Sequence, residues 1–218
     1  KMPSNKKLLQ AAAGNAGGDN LYVEDVFSTY LYTGGTAQQI NNGLDLATEG
    51  GMTWLKRRNT AGYDHQVFDT ERTDPTYSTP TRLSTNSAAA ADAYFTTGEF
   101  SWLTDGFDLN TTDGNVNGSG GDFASWTFRK AEKFFDVVTY TGNGTAGRTV
   151  AHNLGSVPGF IIVKKTSGSS QWPVYHGSRG IGKELFLNKT DAETAYGDLW
   201  SGVTSTNFTI SNNNQVNF

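Results

Sequence analysis

The chain lacks cysteine, an excess of basic charge and long apolar runs, and each absence excludes a class of protein. Without cysteine there is neither a disulfide scaffold nor a cysteine-ligated zinc site, and the redox compartment stays undetermined. The formal net charge of −4 gives no basic footprint for a nucleic acid. No run approaches the roughly 18 apolar residues of a membrane span. We therefore expect neither nucleic-acid binding nor membrane insertion.

Glycine is abundant, with 26 residues in a chain of 218, whereas its usual share is roughly 7%. Asparagine, threonine and serine are also frequent, and only 17% of the residues are charged. This turn-rich, weakly charged composition, with scattered aromatic residues, is typical of all-β proteins found outside cells or in virus particles. It is not typical of helical cytosolic enzymes.

The sequence repeats itself at an offset of 108 residues (140 − 32). Tyr32-Thr33-Gly34 recurs as Tyr140-Thr141-Gly142. With small slips in the offset, other segments also correspond: residues 51–57 with 159–165, 67–69 with 174–176, Leu83 with Leu185, Asn86 with Asn188, and 106–109 with 207–210. A shared apolar pattern with drifting polar identities is expected of two copies of one fold. We predict two like domains, 22–131 and 132–218, behind an arm of residues 1–21.

Short β-branched and aromatic segments separated by turn residues predict an all-β fold. We expect two tandem antiparallel β-sandwich domains of the jelly-roll or lectin-like type. The predicted strands lie near residues 27–33, 52–56, 65–69 and 123–128 in the first unit, and near 135–140, 160–164, 172–175, 185–187 and 208–210 in the second. Residues 88–92 fit either a brief helical turn or a tight loop.

The last predicted strand of the first unit has no counterpart in the second. Residues 214–217 align with residues 114–117, and the second copy then stops at Phe218. Either the chain is a piece of a longer protein, or another chain donates the closing strand by edge addition.

Each unit has one apolar run near its centre, and the two runs are predicted to form paired core strands. We expect Trp54 and Leu55 in the first unit, and Ile162 and Val163 in the second, to lie in the core. Basic residues follow each run and should mark the points where the strands leave the core, and these residues are Lys56, Arg57, Lys164 and Lys165.

No residue pattern indicates catalysis, a cofactor or a metal site. The three histidines, His65, His152 and His176, are isolated, and none belongs to a metal-binding motif. Residues 108–114 resemble a calcium loop, but they have one residue too many and no glutamate at the required step. The acidic residues do not form a pair that recurs in both copies, as Asp69 is replaced by His176. We therefore expect a protein that is not an enzyme and that carries no catalytic residue, cofactor or metal.

Five tryptophans suggest a second kind of site, because aromatic faces stack on sugar rings. Trp54 and Trp126 alternate with polar neighbours on predicted strands, which favours a place in the core. Trp102, Trp172 and Trp200 lie near predicted loops. If exposed, these three are the candidates for glycan contact.

Residues 1–20 differ in composition from the rest of the chain. Ser4 can cap a short helix that ends at Gly14, and a glycine-rich tether follows. Only two leucines stand between the lysines and the alanines, too few for the apolar region of a signal peptide. A helix of about ten residues is marginal alone in water, so the arm is either disordered or docked on a partner. The predicted attachment residues are Lys6, Lys7, Leu8 and Leu9.

Several long motifs resemble one family. Residues 5–14 followed by residues 22–34 look like the opening of virion structural proteins from marine tailed phages, which are cyanophage-like and are often described as tail-fibre-like. Phe68-Asp69-Thr70-Glu71-Arg72, residues 124–130 and residues 152–164 are similar to the repeated unit of that family. The similarity covers nearly the whole chain.

The resemblance implies that the chain is a virion structural protein. The arm would attach to other virion proteins of the tail or near the portal, and the repeats would project outward for host adhesion. Fibre-like phage proteins are usually trimers, so a homo-oligomer is implied, although a free module of this composition is also compatible with a monomer. The alternatives are a carbohydrate-binding module for a host surface glycan and an appendage enzyme that degrades a polysaccharide.

Overall fold

The computed structural model describes residues 21–195 and 198–218, and the all-β expectation is confirmed. One helical turn, α1 (Val23–Val26), precedes the first strand. The strands in the described ranges are β1 (Phe27–Thr33), β2 (Gln38–Asn41), β3 (Gly51–Arg57), β4 (Gln66–Asp69), β5 (Leu83–Ser84), β6 (Phe100–Leu103), β7 (Gly106–Leu109), β8 (Asp122–Arg129), β9 (Arg148–Ala151), β10 (Phe160–Ile162), β11 (Pro173–His176), β12 (Leu185–Phe186), β13 (Trp200–Val203) and β14 (Asn207–Ile210). The part of the chain described here has no helix with the length and hydropathy of a membrane span.

The first half of the chain forms two antiparallel sheets. The larger sheet has the order β1-β8-β3-β4-β5, and the smaller has the order β2-β7-β6. β8 pairs along its length with both neighbours, from Thr33 opposite Asp122 on one side to Gly51 opposite Arg129 on the other. The strand that joins β1 to β3 inside the larger sheet is therefore the last of its five strands in the sequence.

A single core cluster takes side chains from both of these sheets. β3, β4 and β8 contribute Leu55, Phe68 and Phe123, while β7 contributes Phe107 and Leu109, and all five are fully buried. Aromatic rings dominate this cluster and pack at mostly tilted or stacked angles. The two sheets thus share one hydrophobic core.

The second half contains two three-stranded sheets, β13-β14-β9 and β10-β11-β12. Their core cluster joins Trp200, Phe208 and Ile210 of the first sheet with Tyr175 of the second and with Val163 just beyond β10. The strand orders repeat those of the first half, with β13-β14-β9 matching β6-β7-β2 and β10-β11-β12 matching β3-β4-β5.

Strand register also repeats at the positions that the sequence aligns. Val67 pairs with Leu83 in the first half, and Val174 pairs with Leu185 in the second. On the other edge of β4 and β11, Asp69 lies opposite Met52 of β3 and His176 lies opposite Phe160 of β10. The sequence offset therefore connects residues with equivalent positions in their sheets.

The second half departs from the first at one edge. Residues 135–140, predicted to be a strand, are in no strand, and the described residues contain no counterpart of β8. β1 is held by seven residue pairs to β8, and residues 136–141 have no strand beside them to supply such pairs. β10 is also short, so Lys164 lies beyond its end, whereas Lys56 lies within β3.

The prediction that Trp54 and Ile162 lie in the core is wrong, because their side chains lie on the side of the sheet that faces away from the core. Adjacent residues of a strand point to opposite sides of a sheet, and Leu55 and Val163 take the buried side. Trp54 is half-buried on the other side, and Ile162 is 36% exposed. The basic residues that follow do not all leave the sheet, because Lys56 and Arg57 remain in β3.

A loop of the first half contacts the second half directly. Residues 88–91 form no helix, and Ala88 accepts hydrogen bonds from Ser170 N at 2.9 Å and from Lys164 Nζ at 2.9 Å. Trp172 Nε1 donates to Ser87 O at 2.8 Å. Burial among these groups lowers the pKa of Lys164 to about 8.

The linker between the halves, residues 130–136, is held in place by ion pairs and by aromatic packing. Lys130 Nζ lies 2.7 Å from Glu71 Oε1 and 3.6 Å from Asp136 Oδ1. Phe134 and Phe135 pack against the ring of Phe128, with centroid distances of 6.4 and 5.3 Å. The linker therefore covers one end of the outer face of the large sheet.

Candidate functional site

Tyr32 and Asn117 build a buried hydrogen-bond network that connects β1 to the turn before β8. Tyr32 Oη donates to Val116 O at 2.6 Å. Asn117 Nδ2 donates to Thr36 O at 2.9 Å and to Thr111 O at 2.7 Å. Burial raises the pKa of Tyr32, so its hydroxyl remains a donor at every physiological pH.

The same network recurs in the second half. Tyr140 Oη donates to Val216 O at 2.6 Å, and Asn217 Nδ2 donates to Thr145 O at 2.7 Å and to Ser211 O at 2.9 Å. Burial raises the pKa of Tyr140 to about 12. We call each set of contacts a Tyr–Asn network. Its duplication is a structural counterpart of the sequence repeat.

The outer face of the large sheet carries a second group of functional candidates. Trp54 and Trp126 are half-buried neighbours on β3 and β8, with ring centroids 6.3 Å apart and planes at 72°. His65 stands against Trp54, and Trp54 Nε1 donates to His65 Nδ1 at 3.0 Å. We call Trp54, Trp126 and His65 the aromatic surface. Its partly exposed rings can offer apolar faces to a flat ligand.

The electrostatics of the aromatic surface favour a neutral imidazole. Burial lowers the pKa of His65, the charge of Lys56 lowers it further, and Asp64 acts in the opposite direction. Because His65 Nδ1 accepts the indole hydrogen bond, a proton on Nδ1 would remove that bond. The surface is therefore built around uncharged His65.

We expect acid to destabilise this surface. The pKa of His65 in the folded chain is below the value of about 6.5 in an unfolded chain, so the unfolded state takes up the proton first. Stability should therefore fall as the pH drops from about 6.5 through the folded pKa. An NMR titration should give a midpoint below about 6.5 for His65. The variant His65→Gln should lose this part of the pH dependence, and an unchanged profile would contradict the assignment.

The tryptophans proposed for glycan contact are mostly inside the protein. Trp200 is 2% exposed and Trp172 is 5% exposed, so these two residues do not meet the condition of exposure on which their candidacy depended. Trp200 belongs to the second core cluster, and Trp172 lies under the loop that contains Ser87. Trp102 is half-buried and packs edge-on against Phe100 at 4.7 Å.

The other candidate residues have structural partners or fall outside the described ranges. His152 is buried and its Nε2 lies 3.2 Å from Thr204 O, while His176 Nδ1 lies 2.9 Å from Ser178 Oγ. Within residues 21–195 and 198–218, no group of three metal-ligating side chains is placed to hold an ion. The predicted attachment residues lie outside the described ranges; they are Lys6, Lys7, Leu8 and Leu9.

Sequence reasoning missed both the Tyr–Asn networks and the aromatic surface. The signal for the networks was present, since Val116-Asn117 aligns with Val216-Asn217 behind two aligned tyrosines. The signal for the surface was strand alternation, which separates Trp54 from Leu55.

These features define an all-β protein in which one buried network is built twice. Residues 23–218 match the family described as "Domain of unknown function (DUF7483)", and the chain belongs to that family. The matched range contains both Tyr–Asn networks and the linker, and it begins after the N-terminal arm. No curated protein and no solved structure matches the chain.

Proposed function

We propose that this chain is a non-enzymatic virion structural protein, a tail fibre or similar appendage component of a tailed phage. In this proposal, residues 22–131 and 132–218 are tandem β-sandwich domains of the jelly-roll or lectin-like type. The arm of residues 1–21 attaches them to the particle, and the domains project outward for host adhesion. The observation that carries the proposal is the duplicated Tyr–Asn network.

The duplication supports an appendage because repeated modules are a simple way to extend a protein from an anchor. Each module has its own core and contacts only its neighbours, so length grows without a new fold. The second support is the resemblance of residues 5–14, 68–72 and 152–164 to tail-fibre-like virion proteins.

The proposed partners are other virion proteins and further copies of the chain, with a trimer as the expected assembly. Native mass measurement of the intact chain at micromolar concentration tests the trimer, and a monomer alone would contradict it.

We expect deletion of residues 1–20 to abolish incorporation of the chain into particles. Leu8 and Leu9 would supply the buried contact, worth roughly 3–6 kcal/mol before ordering costs, and several copies would add up. The measurement is the copy number of the chain in purified particles, with thermal melting as a control for the β domains.

A pair of substitutions separates the apolar contact from charge. Leu8→Ala with Leu9→Ala should reduce incorporation strongly, whereas Lys6→Ala with Lys7→Ala should reduce it less. Normal copy number in the deletion variant would refute the attachment role. Release of reducing ends from host envelope material by the intact chain would refute the non-enzymatic part of the proposal.

A carbohydrate-binding module for a host surface glycan is the second candidate, and the aromatic surface favours it. Trp54 and Trp126 stand side by side on a rigid sheet, and both rings are partly exposed. Side chains on strands hold a fixed geometry better than side chains on loops do. Trp102, half-buried on β6, is a further candidate contact in the first unit.

If this candidate is right, Trp126→Ala should lower glycan binding about fivefold or more, because a stacked aromatic contributes on the order of 1 kcal/mol or more. Leu31→Ala is the matched control, since Leu31 lies on the same face and is 63% exposed. A glycan array followed by titration of any hit provides the measurement. Equal binding by both variants would exclude the aromatic surface as the site.

A further inference from the structure

A loop of the first half docks on a segment of the second half. The loop is residues 87–91, the first docking loop, and the segment is residues 164–172, the second hairpin segment, which lies between β10 and β11. Four hydrogen bonds join them, and the loop contributes only backbone atoms. They run from Trp172 Nε1 to Ser87 O at 2.8 Å, from Lys164 Nζ and Ser170 N to Ala88 O at 2.9 Å each, and from Ala91 N to Thr166 O at 2.9 Å. Another loop with the same backbone conformation can therefore make the same contact.

The first half contains an equivalent hairpin segment, residues 56–65, where β3 leads into β4. Its lysine bonds a carbonyl within the segment, and its last residue donates its backbone N–H to an asparagine, as in the second half. The matching bonds are Lys56 Nζ to Tyr63 O and Lys164 Nζ to Ser170 O, followed by His65 N to Asn86 Oδ1 and Trp172 N to Asn188 Oδ1. Tyr63 therefore corresponds to Ser170. By the same match, His65 corresponds to Trp172.

The second half contains an equivalent docking loop, residues 189–193. A backbone turn precedes each docking loop, and an isolated β-bridge follows it. The turn bonds are Ser87 N to Ser84 O and Lys189 N to Phe186 O, and the bridges join Arg82 to Asp92 and Glu184 to Thr194. The offset of 102 (185 − 83) that aligns Leu83 with Leu185 aligns all of these pairs. The two docking loops therefore have equivalent positions in the two halves.

The first hairpin segment and the second docking loop make no such contact within the part of the chain that the structure describes. The backbone atoms that correspond to bonded atoms of the internal contact have no hydrogen bond there, and they are Arg58 O, Tyr63 N, Lys189 O, Thr190 O and Glu193 N. Arg58 and Lys189 are exposed. Both surfaces of the internal contact are thus present a second time without being joined to each other.

The first hairpin segment presents side-chain donors like those of the second. His65 Nδ1 accepts the hydrogen bond from Trp54 Nε1, so the neutral ring carries its proton on Nε2. That N–H can donate to a loop carbonyl as Trp172 Nε1 donates to Ser87 O. A lysine ammonium has three N–H groups, and Lys56 uses one of them within the segment. Two further donors therefore remain for a loop carbonyl.

The charges of these two surfaces are complementary. The second docking loop contains Lys189, Asp191 and Glu193, whereas the first hairpin segment contains Lys56, Arg57, Arg58 and Asp64. In the contact inside the chain, Ala91 meets Thr166. Their counterparts are Glu193, at the offset of 102, and Arg58, at the offset of 108. An acidic side chain would therefore meet a basic one, in addition to the pair that Glu193 forms with Arg179.

We propose that the second docking loop of one chain binds the first hairpin segment of a second copy, by the same contact that joins the two halves inside each chain. The loop and the segment are different surfaces, so the contact runs head to tail, and its repetition gives a closed ring or an open filament. The bonds expected across it are His65 Nε2 to Lys189 O, Lys56 Nζ and Tyr63 N to Thr190 O, and Glu193 N to Arg58 O. The proposal rests on the internal contact and does not depend on the virion assignment.

Analytical ultracentrifugation of the intact chain over a range of micromolar concentrations tests the contact. The intact chain should associate, and Arg58→Glu should weaken the association about tenfold or more, because two like charges would then face each other. Glu193→Arg should have the same effect. An equimolar mixture of these two variants should recover the association, since opposite charges then meet at every contact. Lys133→Glu is the matched control, because it reverses an exposed charge on the linker and should change nothing.

Hydrogen exchange at single amides locates the contact. The amide of Tyr63 should be protected in the associated chain and should exchange rapidly in the variant Arg58→Glu. The amide of Ser170 is the internal reference, since it bonds Ala88 O within each chain. It should stay protected in both proteins, which also shows that the variant is folded.

Three results would overturn the proposal. The first is an intact chain that remains a monomer at every concentration. The second is association that Arg58→Glu leaves unchanged or that the mixture of variants does not recover. The third is association without protection of the Tyr63 amide, which would leave a trimer in place but assign it to another surface.

Discussion

Replacing Asn117 by alanine is expected to destabilise the first half by about 3 kcal/mol. The side chain is fully buried, and its Nδ2 donates to the carbonyls of Thr36 and Thr111. Its Oδ1 accepts a hydrogen bond from Gln38 Nε2 at 2.5 Å. Alanine would remove three hydrogen bonds to groups that are half-buried or exposed, and each lost bond costs about 0.5–1.5 kcal/mol. Urea unfolding measured by circular dichroism gives the change in free energy.

The second Tyr–Asn network provides a parallel test and a control. Asn217→Ala should destabilise the second half by a comparable amount, since Asn217 makes the same two kinds of carbonyl contact. Gln38→Ala removes only one donor to Asn117 and should cost about 1 kcal/mol. If Asn117→Ala and Gln38→Ala lowered the free energy of unfolding by the same small amount, the Tyr–Asn network would not be a main source of stability in each half.

The variant Gly34→Ala is expected to cost about 3 kcal/mol through a steric clash. A Cβ at Gly34 would lie 2.5 Å from Gly118 O and 2.7 Å from the backbone carbon of Asn117. Both atoms belong to backbone that the Tyr–Asn network fixes, so neither can move cheaply. At the aligned Gly142, a Cβ would lie 2.5 Å from Phe218 N. Gly142→Ala should therefore destabilise the second half in the same way.

The neighbouring Gly35 supplies the control, because a Cβ there would meet nothing within 4 Å. Gly35→Ala should change the free energy of unfolding by less than about 0.5 kcal/mol. Thermal melting of the three alanine variants beside the parent chain makes the comparison. Equal melting temperatures for Gly34→Ala and Gly35→Ala would show that the turn tolerates a methyl group and that the close approach has no consequence.

Much of the fold followed from the repeat and from strand patterns. The offset that links Tyr32 to Tyr140 also links residues with the same hydrogen bonds in the two halves. The predicted strand at 27–33 coincides with β1, and the predicted strand at 123–128 lies within β8. These predictions succeeded because β-branched and aromatic residues bounded by glycine are a strong local signal.

The facing of the strands did not follow from the sequence. On β8, Ser125 and Thr127 point into the core, while Trp126 points outward and is half-buried. The hydroxyl of Thr127 is accommodated by a contact with Thr53 Oγ1 at 3.2 Å and a hydrogen bond from Asn42 Nδ2 at 2.8 Å. A buried polar group is acceptable once it has partners. Those partners are distant in sequence, so hydrophobicity alone selected the wrong face.

The burial of Trp172 and Trp200 has a similar origin. Trp200 begins β13 and fills the place that Phe100 fills at the start of β6, opposite the last residue of the neighbouring strand. Trp172 is covered by a loop from the other half of the chain. Only contacts between distant segments, which a local pattern does not encode, could place these indoles inside.

The position of β8 between β1 and β3 also has a consequence for biosynthesis. β1 and β3 leave the ribosome well before β8, because residues 27–57 precede residues 122–129. At 5–20 residues per second, the delay between β1 and β8 is roughly 5–20 s. During that interval the nascent chain carries two unpaired strand edges, which are templates for aggregation. Translation speed between codons 58 and 121 therefore sets how long a chaperone must shield the growing sheet.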